Sequence, residues 1–287
     1  MHLIYYLVFS PKNVMVPSHE NRRRARMWLV RFAGGGTRLA EARAMNLPAI
    51  VARGASQTRL RRYREQIEAD LCRNRSDNTP EQRKDLLEVL LSWLTLNPSV
   101  GYAQGFHVVG GTLLRAFVDG GTKSPPHDTL ASLSAACRIN AAYTPLHASD
   151  NMPMIQSHAT ASQVWIDVSN HGGSRWRSSP DIMRWLVTFV LRCFPVLFGN
   201  VVANETALRR LWDFIAESDT PDDACRHITV ALLLTQNPSL WHLGKDQDQN
   251  CQIFESLLQL LTPERAKLVV KSAAYLARVE RVAGRAV

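Results

Sequence analysis

The stretch TPEQRKDLLEVLLSWLTL, residues 79–96, decides the fold class. Thr79 can cap a helix, Pro80 suits the first helical position, and Glu81 places an acid near the positive helix end. Leucines follow at spacings of three and four residues, so one face of the helix is apolar. The stretch therefore predicts a buried helix over 80–96.

The same start signal recurs at residues 179–181, 220–223 and 262–264, each time followed by apolar residues at helical spacing. Alternating runs typical of strands are missing, apart from the ambiguous apolar segment from Leu3 to Phe9. The sequence thus predicts an all-α, multi-helical fold of two helical subdomains. Helices are expected at 21–32, 58–73, 80–96, 104–117, 129–142, 156–168, 180–194, 206–218, 221–234, 246–261 and 263–282.

Three glycine-containing stretches predict loops. We interpret Gly34-Gly35-Gly36 as a helix terminator, because neither a preceding strand nor a following lysine supports a phosphate loop. Residues 120–128 and 171–179 are rich in Gly, Ser and Pro, and either could separate two subdomains.

The net charge of +9 is concentrated at one end of the 287-residue chain. Residues 1–75 hold 15 Lys and Arg against 5 Asp and Glu. This excess indicates either an acidic partner or merely a solvated basic surface. The five scattered cysteines form no CxxC pair, so we expect a reduced, cytoplasmic protein without a metal site.

Common enzyme signatures are absent from the sequence, including GxxxxGK, GxGxxG, GxSxG and HExxH. A self-contained hydrolase or nucleotide enzyme is therefore not expected. The longest apolar stretch is interrupted by arginine and proline, so we predict no transmembrane segment. The segment before residue 10 lacks the basic start and cleavage site of a signal peptide.

Three short motifs follow one another in the first third of the chain: RxxxW at Arg24 and Trp28, IxxDxxR, and YxQG. In the second motif, Ile67, Asp70 and Arg73 recur every three residues and share one helix face, so Asp70 can hold the guanidinium of Arg73. In the third motif, glycines flank a turn just before an apolar helix. The residues of this motif are Tyr102, Gln104 and Gly105.

These motifs, in this order, resemble the TBC domain, the catalytic domain of Rab GTPase-activating proteins. The resemblance continues through Trp185 to an LRRLWD segment at residues 208–213. It implies an N-terminal segment at 1–15, a TBC domain at 16–261 with its catalytic motifs in 16–118, and a C-terminal helix at 262–287.

The resemblance implies a role for each motif residue. Arg73 would be an arginine finger and Gln104 a glutamine finger that act on the GTP of a Rab-family GTPase, which itself supplies GTP and Mg²⁺. Asp70 and Ile67 would support the first finger, and Tyr102 and Gly105 would shape the turn of the second. Arg24 and Trp28 would buttress the site. No cofactor of the chain's own is expected, and any peripheral membrane association would come through partners.

Two features depart from the family pattern. Asn74-Arg75-Ser76 stands where Thr-Phe-Pro is usual, and Phe106 replaces the usual methionine. A TBC-like module that binds a Rab with weak or no catalysis is therefore an alternative. A basic helical nucleic-acid binder is a further one, although the arginine runs lack interleaved aromatic residues.

Overall fold

A computed structural model describes residues 17–34, 36–73, 78–99, 101–141, 152–172, 180–235 and 247–284. Within these ranges the chain forms helices and no strands, which confirms the all-α prediction. The thirteen helices of this part of the chain are α1 (His19–Ala33), α2 (Gly36–Arg43), α3 (Leu47–Gly54), α4 (Thr58–Arg73), α5 (Pro80–Leu96), α6 (Phe106–Asp119), α7 (Pro125–Ala141), α8 (Met152–Gly172), α9 (Pro180–Cys193), α10 (Glu205–Glu217), α11 (Pro221–Thr235), α12 (Gln247–Gln259) and α13 (Pro263–Gly284).

Helix α5 begins where its capping residues predict. The backbone N–H of Gln82 donates to Thr79 Oγ1 over 3.2 Å, and Gln82 Oε1 accepts from the backbone N–H of Thr79 over 3.0 Å. This reciprocal capping box satisfies two donors that a helix start leaves without intrahelical partners. Leu86, Leu90 and Leu94 are fully buried, as their spacing predicts.

The prediction missed two short helices, α2 and α3. Gly34 ends α1 in a left-handed conformation, as the terminator interpretation requires, but Gly36 already begins α2. Asn46 caps α3 by accepting from the Ala49 N–H. Eight residues are too few to show an apolar periodicity, so the sequence pattern does not predict these two helices. A third difference is that α7 starts at Pro125, inside a predicted loop.

The helices form two groups that meet beside α1 and α10. Helices α1–α7 contact mainly one another, and so do helices α8–α13. The main contact between the two groups is the packing of α1 against α10. Buried apolar side chains run as one cluster through both groups. Among the described helices, none is long and apolar enough to cross a bilayer. The segment Leu3 to Phe9 and the departure at 74–76 lie outside the described residues.

Candidate functional site

One buried carboxylate, that of Asp70 near the end of α4, organises the candidate site. Asp70 is only 4% exposed, and its Oδ1 lies 3.4 Å from Arg73 Nη2. Its Oδ2 accepts a hydrogen bond from the Tyr102 hydroxyl over 2.9 Å. Ile67, one turn earlier, is fully buried and anchors the same helix face. The predicted contact between Asp70 and Arg73 is therefore present, and the Arg73 side chain remains 69% exposed at the helix end.

The YxQG turn presents Gln104 to solvent from a constrained backbone. Gly105 has φ +104°, and a Cβ added there would lie 2.2 Å from Cγ1 of Val196. The position thus requires glycine for both its conformation and its close approach to the second helix group. The helix after the turn begins at Phe106 and not at Gln104 as predicted, because the left-handed residue cannot be part of it.

Burial holds the groups around Asp70 in defined protonation states. Burial, and after it the charge of Asp70, raises the pKa of Tyr102 well above its ordinary value. The hydroxyl therefore keeps its proton and can donate a hydrogen bond to the carboxylate. Burial also lowers the pKa of His107, against the opposing effect of Asp70, so the neutral imidazole is favoured at pH 7.

A groove of about 880 Å³ opens beside Gln104, between the two helix groups. Residues of α6 line one side of it, and Val196 and Asn200 line the other. Arg115, also on the groove, donates to Glu205 Oε2 of α10 over 2.8 Å and to the Asn78 side chain over 3.0 Å. Both helix groups thus contribute to the surface next to the glutamine.

Arg24 and Trp28 lie at the junction of α1 and α10. Trp28 Nε1 and Arg24 Nε each donate to Asp213 over 2.9 Å. The ring of Trp28 lies 5.3 Å from that of Trp212, centroid to centroid. The described contacts of this pair join the two helix groups, and none of them reaches Asp70. That the pair buttresses the catalytic residues stays a prediction.

Three residues of these networks are not among the site residues predicted from the sequence: His107, Val196 and Asp213. Asp213 is part of the LRRLWD segment, but nothing in the sequence shows that it contacts Arg24 and Trp28, which lie 189 and 185 positions earlier. His107 follows the YxQG turn by two residues, and only the fold shows that its Nδ1 reaches the Tyr102 hydroxyl. Nothing in the sequence around Val196 indicates that it packs closely against Gly105.

The arrangement suits chemistry on a bound partner. An exposed guanidinium contacts Asp70 directly, and the short segment that carries the exposed Gln104 is joined to Asp70 by the Tyr102 hydroxyl. A guanidinium can neutralise charge that develops on phosphate oxygens, and a carboxamide can orient a water.

Comparisons with known proteins agree with this description. Residues 52–163 match the family model of the Rab-GTPase-TBC domain. The fold is similar to the crystal structure of the Chlamydomonas flagellar RabGAP TBC domain, with a TM-score of 0.59 and 15% sequence identity. That similarity covers 92% of this chain and 85% of the other. No curated protein sequence matches the chain. The matched segment contains the IxxDxxR and YxQG motifs, and RxxxW precedes it.

Proposed function

Since residues 52–163 match the family model of the Rab-GTPase-TBC domain and the chain has the fold of a TBC domain, we propose that the protein activates GTP hydrolysis by a Rab-type small GTPase. The observation that carries the proposal is the shared carboxylate of Asp70, which contacts Arg73 through one oxygen and Tyr102 through the other.

In the proposed reaction Arg73 neutralises charge on the γ-phosphate and the leaving oxygen. Gln104 orients the attacking water in place of the GTPase's own glutamine. GTP and Mg²⁺ belong to the partner, so the chain needs no cofactor of its own. The protein would thereby switch off a GTPase of vesicle trafficking in the cytoplasm, and it would reach endomembranes through that partner.

The test is GTP hydrolysis by a panel of Rab GTPases with wild type, Arg73→Ala and Gln104→Ala. An arginine finger contributes about 10³–10⁵-fold in rate. We therefore expect Arg73→Ala to remove nearly all stimulation, and Gln104→Ala to reduce it strongly, while both variants remain folded at the assay temperature. Arg61→Ala, an exposed arginine on another face of α4, is the matched control and should keep the wild-type rate.

The outcomes separate the alternatives. Equal rates with all four proteins would contradict the proposal. Binding of wild type to a GTP-loaded Rab without faster hydrolysis would favour the binding module suggested by Asn74-Arg75-Ser76. A nucleic-acid complex that weakens with salt, without any Rab response, would favour the nucleic-acid binder.

A further inference from the structure

His107, the second residue of α6, is part of the hydrogen-bond network that holds Arg73. Its Nδ1 lies 3.1 Å from the Tyr102 hydroxyl oxygen and 3.7 Å from Asp70 Oδ2. The imidazole is buried, with 9% of its surface exposed. The network therefore continues from α4 through the YxQG segment into α6.

The proton directions in this network follow from the chemistry of its groups. An ionised carboxylate only accepts, so the Tyr102 O–H donates to Asp70. The Tyr102 oxygen then has lone pairs towards His107, and only a protonated Nδ1 can form a hydrogen bond with it. Neutral His107 must therefore be the Nδ1–H tautomer. The opposite tautomer would set two lone pairs against each other at 3.1 Å.

We propose that His107 is a positioning residue, which directs the Tyr102 hydroxyl onto Asp70 and thereby holds the Arg73 guanidinium where it can neutralise charge on the phosphates of the partner's GTP. This inference rests on the proposed function, since the guanidinium matters only where a GTPase is present. His107 itself contacts neither the nucleotide nor the water in this role.

The charges around the ring support the neutral state that this role requires. Burial lowers the pKa of His107 most, the charge of Asp70 opposes this, and the charge of Arg73 lowers the pKa further. Arg115, Arg192 and Glu205 line the same groove on α6, α9 and α10. A neutral His107 leaves the charge of Asp70 to Arg73, whereas a protonated ring would compete for it.

The kinetic test compares His107→Leu with His107→Asn on a Rab that wild type stimulates. Leucine fills the space but donates nothing, so we expect the stimulated kcat to fall about 10-fold, as for loss of one buried hydrogen bond. KM for the GTP-loaded Rab should change less than about 2-fold, since the Rab surface is untouched. Asparagine can donate from Nδ2 and should restore most of the rate.

A second measurement needs no GTPase. Nitrogen NMR of the wild-type histidines at pH 7 should show a neutral ring protonated on Nδ1, assigned to His107 because His107→Asn removes it. An Nε2–H tautomer would overturn the proposal whatever the kinetics. This measurement also stands if His107→Leu does not fold.

The remaining outcomes are distinguishable. Stimulation by His107→Leu at the wild-type kcat overturns the positioning role and leaves the proposed function intact. If the wild-type protein stimulates no Rab and Arg73→Ala gives the same rate of GTP hydrolysis, the proposed function is overturned, and this inference with it.

Discussion

At Gly105 the backbone of the candidate site is constrained twice. Its φ of +104° disfavours any side chain, and a Cβ would meet Val196 Cγ1 at 2.2 Å. The first constraint belongs to the turn itself, and the second belongs to the contact with the other helix group. Substitutions can separate the two.

We expect Gly105→Ala to lower the free energy of unfolding by about 2–4 kcal/mol, from positive φ and overpacking together. In a Val196→Ala background the clash is relieved, so the same substitution should cost only about 1–2 kcal/mol. Urea unfolding of the four proteins in this double-mutant cycle measures the difference. The same cost in both backgrounds would mean that Val196 does not restrict the turn.

Asp70 contacts both Arg73 and Tyr102 through one side chain. Asp70→Asn keeps the shape but removes the charge that Arg73 contacts at 3.4 Å. We expect a loss of stimulated hydrolysis of at least about 10-fold. The losses of Asp70→Asn and Arg73→Ala should be strongly non-additive, because they disable one unit. Single-turnover rates of the double variant check this, and multiplied losses would show that the residues act independently.

Only part of this site could be predicted from the sequence. Asp70 and Arg73 are three residues apart on a helix, so their contact follows from helix geometry. Tyr102 is 32 positions from Asp70, and no local rule relates them. The contact depends on how α4 and the YxQG segment are brought together, which is a property of the tertiary fold.

Among the elements, helices with capping signals and long apolar faces were predicted best. Helices α4 and α5 have the predicted bounds, whereas α2 and α3 were missed. A long amphipathic helix carries its own signal in every turn, but an eight-residue helix depends on its neighbours for stability. The last helix, α13, was expected from its Thr262-Pro263-Glu264 start, but its polar contact with α11 was not.

Helix α13 is tied to α11 by Glu280, which accepts hydrogen bonds from Arg226 over 2.7 Å and lies 2.7 Å from His227 Nε2. Partial burial alone would raise the pKa of Glu280, but hydrogen bonds and charges from Arg226 and His227 outweigh it and lower the pKa. The ionised carboxylate is therefore favoured by folding. Its stabilising contribution is present above the unfolded-state pKa and is lost as the pH falls through the lower folded-state pKa.

Replacement of Glu280 by Gln should consequently destabilise the protein at pH 7. The difference in unfolding free energy from wild type should begin to shrink as the pH falls below about 4.5, where Glu280 of the unfolded chain takes up a proton. It should level off below the lower folded-state pKa, where the folded carboxylate is neutral as well. Denaturant unfolding at several pH values gives both curves. A difference that stays constant down to pH 3 would show that the charge of Glu280 is not what stabilises the contact.

For the whole molecule, the basic excess of the first quarter is partly used inside the fold. Arg24 pairs with Asp213, and Arg43 pairs over 2.7 Å with the fully buried Asp128. The acids of these pairs come from later in the chain. The charge asymmetry therefore reflects in part how distant segments pair, and it is a weaker sign of an acidic partner than the sequence suggests.

The junction between the two helix groups can be tested at Asp213. Asp213→Ala leaves the Arg24 guanidinium and Trp28 Nε1, both buried, without this acceptor. We expect a loss of about 2–3 kcal/mol in unfolding free energy, below the full cost for a buried pair because Asp213 is one-quarter exposed. Unfolding in guanidinium chloride measures this loss.

Asp219→Ala is the matched control, because Asp219 lies 3.8 Å from Arg31 with both side chains exposed. That pair should contribute no more than about 1 kcal/mol. Similar losses for the two variants would argue that the Asp213 contacts do not hold the helix groups together.

The shared carboxylate also has a consequence for inheritance. Asp70 contacts both Arg73 and Tyr102, so under the proposed function a single codon change at this position would disturb the supports of Arg73 and of the Gln104 turn together. After such a change, selection for hydrolysis would no longer maintain Arg73 or Gln104. We would then expect descendant genes that keep the fold without the proposed activity to differ at position 70 as well as at positions 73 and 104.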